Sequence, residues 1–115
     1  MNEQKQKPPK KSQDVYTLLV QVGRQKNDGL PKDSVGAALM CYAGGVDEAE
    51  AVRETVALIC QADLNPLDVT GYGTLAEQEA EGTVIDDQEK ALMQRALEEN
   101  SVIVAQMTPL YANDA

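Results

Sequence analysis

The chain has 115 residues, 43% of them apolar, with four Tyr as its aromatics and no Phe, Trp or His. That length suits one domain around one hydrophobic core, and the missing His excludes Ser-His-Asp and Cys-His catalysis and His-ligated zinc. The net charge of −9 is uneven: residues 1–13 hold Lys5, Lys7, Lys10 and Lys11 against Glu3, so the remainder keeps six basic and eighteen acidic groups, a net of −12, and a body this acidic repels nucleic-acid phosphates.

Residues 1–13 (MNEQKQKPPKKSQ) are polar and without periodicity, which predicts a disordered basic tail ahead of a single α+β domain over 14–115. Val15 to Val22 is rich in β-formers, and Tyr16, Leu18, Val20 and Val22 share one face of a strand. Residues 24–34 gather Asn, Asp, Gly and Pro into a loop. Val35 to Ala43 reads as a second strand with Val35, Ala37, Leu39 and Cys41 on one face and Ala38, Met40 and Tyr42 on the other. A strand apolar on both faces belongs at the centre of a sheet.

Gly44-Gly45 ends that strand, and Asp47 with Glu50 opens a helix to about Asp63 in a capping-box-like pair. Val52, Val56, Ile59 and Cys60 are its expected buried stripe. Asn65-Pro66 stops it. Leu67 to Leu75 then alternates as a third strand, with Leu67, Val69 and the two glycines Gly71 and Gly73 opposite Asp68, Thr70, Tyr72 and Thr74. Residues 76–85 read as an acidic connection with room for a short strand at Thr83–Ile85. Asp86 or Asp87 begins a second helix to about Asn100, with Leu92, Met93, Ala96 and Leu97 inward. Val102–Ala105 forms the last strand, which Pro109 ends. This order predicts a ferredoxin-like two-layer α+β sandwich: a four- to five-stranded sheet with two helices on one face.

No chemical motif survives inspection, so no catalytic residue, metal ligand or cofactor is assigned. Cys41 and Cys60 lie 19 residues apart on apolar faces, in no CxxC arrangement, and are expected to be buried and unbonded in a reducing, cytoplasmic compartment. Glu77-x-Glu79-x-Glu81-Gly82 imitates the start of an EF-hand loop, but the twelfth place is Gln88, which lacks the bidentate carboxylate calcium needs there. Gly44-Gly45 could mark an anion site, yet Asp47, Glu48 and Glu50 occupy that turn and would repel an anion. Gly71-Tyr72-Gly73 is explained by close packing of the first helix on the strand. No apolar run reaches the ~18 residues of a membrane span.

Leu58 to Val69 (LICQADLNPLDV) resembles the helix-end-to-strand segment of ACT-type regulatory domains, without the Asp-x-x-Gly turn those domains place before their first helix. The resemblance implies a ferredoxin-like module that binds an amino acid at a dimer interface. The residues themselves favour a non-enzymatic interaction module: a homodimer joined across the sheet face its helices leave open, with Met40, Tyr42 and Tyr72 as interface candidates. A small-ligand regulatory domain is the alternative, and an acidic decoy for a basic protein surface is a third.

Overall fold

The computed structural model describes residues 13–112, so the tail at 1–12 lies outside them. Gln13, expected in that tail, donates its side-chain amide to Asn100 Oδ1 at 3.0 Å. The elements run β1 (Asp14–Gly23), β2 (Gly36–Gly45), α1 (Glu48–Gln61), β3 (Asn65–Thr74), α2 (Leu75–Ala80), α3 (Asp87–Glu98) and β4 (Val102–Leu110). The fold is α+β: the described residues form one four-stranded sheet in the order β3-β1-β2-β4, with every neighbouring pair antiparallel, and three helices.

The hairpin β1–β2 is the centre of the sheet, as its two-sided hydrophobicity requires. Its register sets Leu18 opposite Cys41, Val20 opposite Leu39 and Val22 opposite Ala37 on one face. These side chains pack with Ile59 and Ala51 of α1 into the larger part of the core. On the other face Thr17 stands opposite Tyr42 and Leu19 opposite Met40. Val15 and Tyr42 pack there against Met93 and Ala96 of α3. Leu18, Leu39, Ile59 and Val20 are fully buried, and each contributes roughly 1.5–3 kcal/mol relative to an exposed position.

The sequence predicts both helices on one face; instead they lie on both, Ile59 of α1 against the face of Cys41 and Met93 of α3 against that of Tyr42. Gly44 and Gly45 show this within two residues. A Cβ on Gly44 would lie 3.1 Å from the Ala96 carbonyl oxygen of α3, and one on Gly45 would lie 3.1 Å from the Asp47 carbonyl oxygen at the start of α1. Successive strand residues point to opposite faces, so the two glycines admit a helix backbone on each side. The β-β-α-β-α-α-β order also differs from the β-α-β-β-α-β order of a ferredoxin-like chain.

Three further expectations need correction. Thr83–Ile85 forms no strand, and the connection before it folds as α2. Pro109 lies inside β4 rather than beyond it; β4 is an edge strand, where a missing N–H is tolerated. The buried stripe of α1 is Ala51, Thr55 and Ile59, one position earlier than expected, and this turns Cys60 outward. No helix among the described residues is long and apolar enough to cross a membrane.

The β1–β2 loop is closed by Arg24. Its Nε and Nη2 donate to the two Asp28 carboxylate oxygens at 2.9 and 3.3 Å. Nη1 donates to the carbonyls of Pro31, Lys32 and Ser34 at 2.9, 3.2 and 2.7 Å. Asp28 also accepts from the backbone N–H groups of Gln25 and Leu30. This holds Leu30 in the core beside Val22 and Ile59. The hydrogen bonds from Arg24, then those from the two backbone N–H groups, hold the Asp28 carboxyl well below the usual carboxylate range.

A carboxyl depressed in the fold stabilises it above the unfolded-state value near 4, and that contribution is lost as pH falls toward the folded-state value. Asp28→Asn should therefore lower the melting temperature by a few degrees at pH 7. The gap between the two proteins should narrow as pH drops below about 4. A gap that stays constant on thermal melts between pH 7 and pH 2.5 would show that the ionised carboxylate is not what closes the loop.

Candidate functional site

On the face that carries α2 and α3, the two helices and the connection between them leave a groove of about 490 Å³ over the sheet. The floor comes from strand alternation: Thr17 of β1, Met40 and Tyr42 of β2, and Gln106 of β4, which pairs with Met40. Ala105 shares the face of Ile103 by ordinary alternation, and the register shift between Met40 and Cys41 in the β2–β4 pairing sets Gln106 opposite Met40 beside it. Tyr72 of β3 stands at one side. Leu92 and Met93 of α3, with Val84 and Ile85 of the connection, form the other wall.

Each wall is fixed by a local device. Thr74 Oγ1 accepts from the Glu77 backbone N–H while Glu77 Oε1 accepts from the Thr74 N–H, a capping box that starts α2. Asp86 and Glu89 repeat the arrangement at the start of α3. The first box places Gln78 inward, where it is buried. Its Nε2 donates to Thr17 Oγ1 at 2.9 Å and lies 3.3 and 3.4 Å from the carbonyl oxygens of Gly73 and Thr74. Side-chain amides so placed are pre-organised, because their rotamers are set before any ligand arrives.

The expected interface residues Met40, Tyr42 and Tyr72 all line this groove, in different settings. Tyr42 is a core residue, 3% exposed, wedged under α3. Its hydroxyl lies 3.5 Å from Glu89 Oε2, and burial, with the nearby Glu89 and Asp86 carboxylates, raises its pKa. Met40 is half-buried and Tyr72 is 45% exposed at the rim. Gln78, Thr17 and Gln106 were not singled out from the sequence. Thr74-Leu75-Ala76-Glu77 has the capping-box spacing that would have disclosed α2, and with it Gln78.

The three glutamates of the EF-hand-like stretch are spent separately. Glu77 caps α2, Glu79 pairs with Lys90 at 3.1 Å, and Glu81 lines the groove. No group of three or more His, Cys, Asp or Glu that could hold a metal ion occurs among the described residues. The Gly71-Tyr72-Gly73 reading holds for its first glycine. Glu48 of α1 lies over Gly71, where a Cβ would meet its Oε2 at 2.5 Å. Gly73 instead has φ +87° and faces Glu77 of α2, a backbone conformation that favours glycine.

Cys41 shares the face of Leu18, on the α1 side of the sheet, so neither it nor the outward Cys60 reaches the groove. Burial pushes the Cys41 thiol up to about 11.

The profile of a family described as Domain of unknown function (DUF8846) matches residues 15–111. No curated protein and no solved structure matches the chain.

The two thiols should separate in reactivity. In the native protein iodoacetamide should modify Cys60 and leave Cys41 intact, because the thiolate is the nucleophile and a buried, protonated thiol is inert. Denaturant should release the second site. Mass spectrometry of the native reaction decides this, and equal labelling of both residues would mean that the α1 face opens on the timescale of the reagent.

Proposed function

We propose, taking as premise that the chain belongs to the family described as a domain of unknown function, that it is a non-enzymatic binding module whose groove holds a small ligand against the sheet. One observation carries this reading. The same groove joins apolar lining residues, Met40, Leu92, Met93 and Ala105, to a buried amide, Gln78, already fixed by its bond to Thr17. Sites for small molecules combine such apolar walls with a few placed polar groups, in volumes of roughly 300–1,000 Å³. The absence of His from the chain and of both thiols from the groove supports binding rather than turnover. A reducing, cytoplasmic setting belongs to the same proposal, supported by two cysteines that stand free.

Filling the groove tests it. In a fragment screen followed by amide chemical shifts, hits should perturb Thr17, Gln78 and Leu92 together. Ala105→Leu should weaken such hits about tenfold or more, while Ala57→Leu, on the exposed side of α1, should leave them unchanged. Equal binding by both variants would remove the groove from consideration.

A second reading, self-association, is favoured by a separate observation. Edge strands in soluble proteins are usually guarded by charge or proline. The β3 edge carries Pro66 and Asp68; β4 carries Pro109 near its C-terminal end, but no charged residue occurs between Glu99 and Asp114, which leaves residues 102–108 of β4 without either guard. Val104 and Met107 of β4 are exposed beside it. Since α2 and α3 occupy much of the face expected to be open, we place the homodimer contact at this edge, where two acidic bodies meet without facing carboxylates. Sedimentation equilibrium at micromolar concentration should give the mass of a dimer, and Val104→Lys should return a folded monomer. A wild-type monomer sinks this second reading.

A further inference from the structure

We infer that the groove selects a small organic cation, an apolar alkyl or aryl body ending in an ammonium or guanidinium group; this rests on the binding reading above and specifies its ligand. The inference comes from a tally of hydrogen-bonding capacity along the groove. Among the described residues its lining includes two carboxylates, Glu81 and Glu89, and no Lys or Arg, and the side chains of Thr17, Thr83, Gln88 and Gln106 add uncharged polar groups. Lys90, which follows Glu89 on α3, is engaged by Glu79 at 3.1 Å.

The buried amide points to the same chemistry. Gln78 Nε2 has three acceptors around it, Thr17 Oγ1 and the carbonyls of Gly73 and Thr74. An amide nitrogen has two hydrogens to give, so what Gln78 can still offer a ligand is its carbonyl oxygen. Glu89 Oε1 accepts from the Asp86 N–H at 3.0 Å, whereas its Oε2 faces the Tyr42 hydroxyl at 3.5 Å, too long for a strong O–H···O bond. The groove therefore presents acceptors and negative charge above an apolar floor. A ligand N⁺–H would complete these acceptors in charge-assisted bonds, and the half-exposed Tyr72 at the rim supplies an aromatic ring for a cation–π contact. An anion meets two carboxylates there, with no cationic side chain among the described lining residues to offset them. A volume of about 490 Å³ fits a small molecule.

The test uses four probes on the isotope-labelled full chain, read by amide chemical shifts: phenethylammonium, phenethyl alcohol, 3-phenylpropanoate and methylammonium. Phenethylammonium should perturb Thr17, Tyr72, Gln78 and Leu92 and bind about tenfold tighter than the alcohol, the scale of a bond to a charged group. The carboxylate, lacking a donor, and methylammonium, lacking the apolar body, should bind more weakly than either. The double variant Glu81→Gln with Glu89→Gln should erase the preference for the cation, bringing phenethylammonium down to the affinity the alcohol has for the same variant, and Gln also serves at the third position of a capping box. Equal binding of alcohol and cation overturns the ligand class but leaves the groove reading standing. Failure of all four probes to move the groove signals overturns both. A cation preference that survives in the double variant overturns the assignment to these carboxylates. Tighter binding of a blocked Ala-Lys-Ala peptide than of phenethylammonium overturns the small-molecule assignment.

Discussion

Everything in this fold follows from the hairpin β1–β2 being apolar on both of its faces. Leu18, Val20, Leu39 and Cys41 on one side and Val15, Tyr42 and Met40 on the other cannot all be shielded by a single layer. The apolar surface on each face must leave water for the sheet to be stable. One helix serves the first face. The second face receives a short helix and a longer one, which cover it from Val15 through Tyr42 and stop short of Met40. The groove is the remainder of that incomplete coverage, and so the same constraint that builds the core also defines the site.

The strands and the two longer helices are legible in the sequence because their periodicities are strong. Period-two alternation marks β1, and the Asp47 and Asp86 caps mark α1 and α3 to within a residue or two. Three things are not legible, each for a physical reason. A six-residue helix such as α2 is too short to show a stripe, so only its capping box betrays it. The far half of β4, Gln106–Leu110, has no alternation and contains a proline, and it is a strand because β2 offers it a partner. Which face each helix takes is a tertiary fact: alternation shows that both faces of β2 need cover, not which segment supplies it.

The candidate site was legible in part. Met40, Tyr42 and Tyr72 all line the groove, because alternation puts the first two on one face of β2 and the third on the same side of β3, with β1 between the two strands. Their differing burial was hidden, since Tyr42 lies beneath a helix whose position the sequence does not give. The polar half of the site was missed with α2. Thr17 is inconspicuous on its own strand and acquires meaning only when Gln78 arrives from 61 positions away.

The uncharged stretch around β4 bears on how the chain behaves in bulk. At neutral pH the acidic body keeps molecules apart by long-range repulsion, which compensates for an edge with no charged guard of its own. That protection belongs to the carboxylates as a population and not to the strand. As the pH nears the sequence pI of about 4.3 the net charge approaches zero and colloidal repulsion is at its weakest, while the edge's hydrogen-bonding capacity is untouched. The same strand is then a template for open-ended strand addition, so solubility in acid is set at β4, far from most of the charges that confer it.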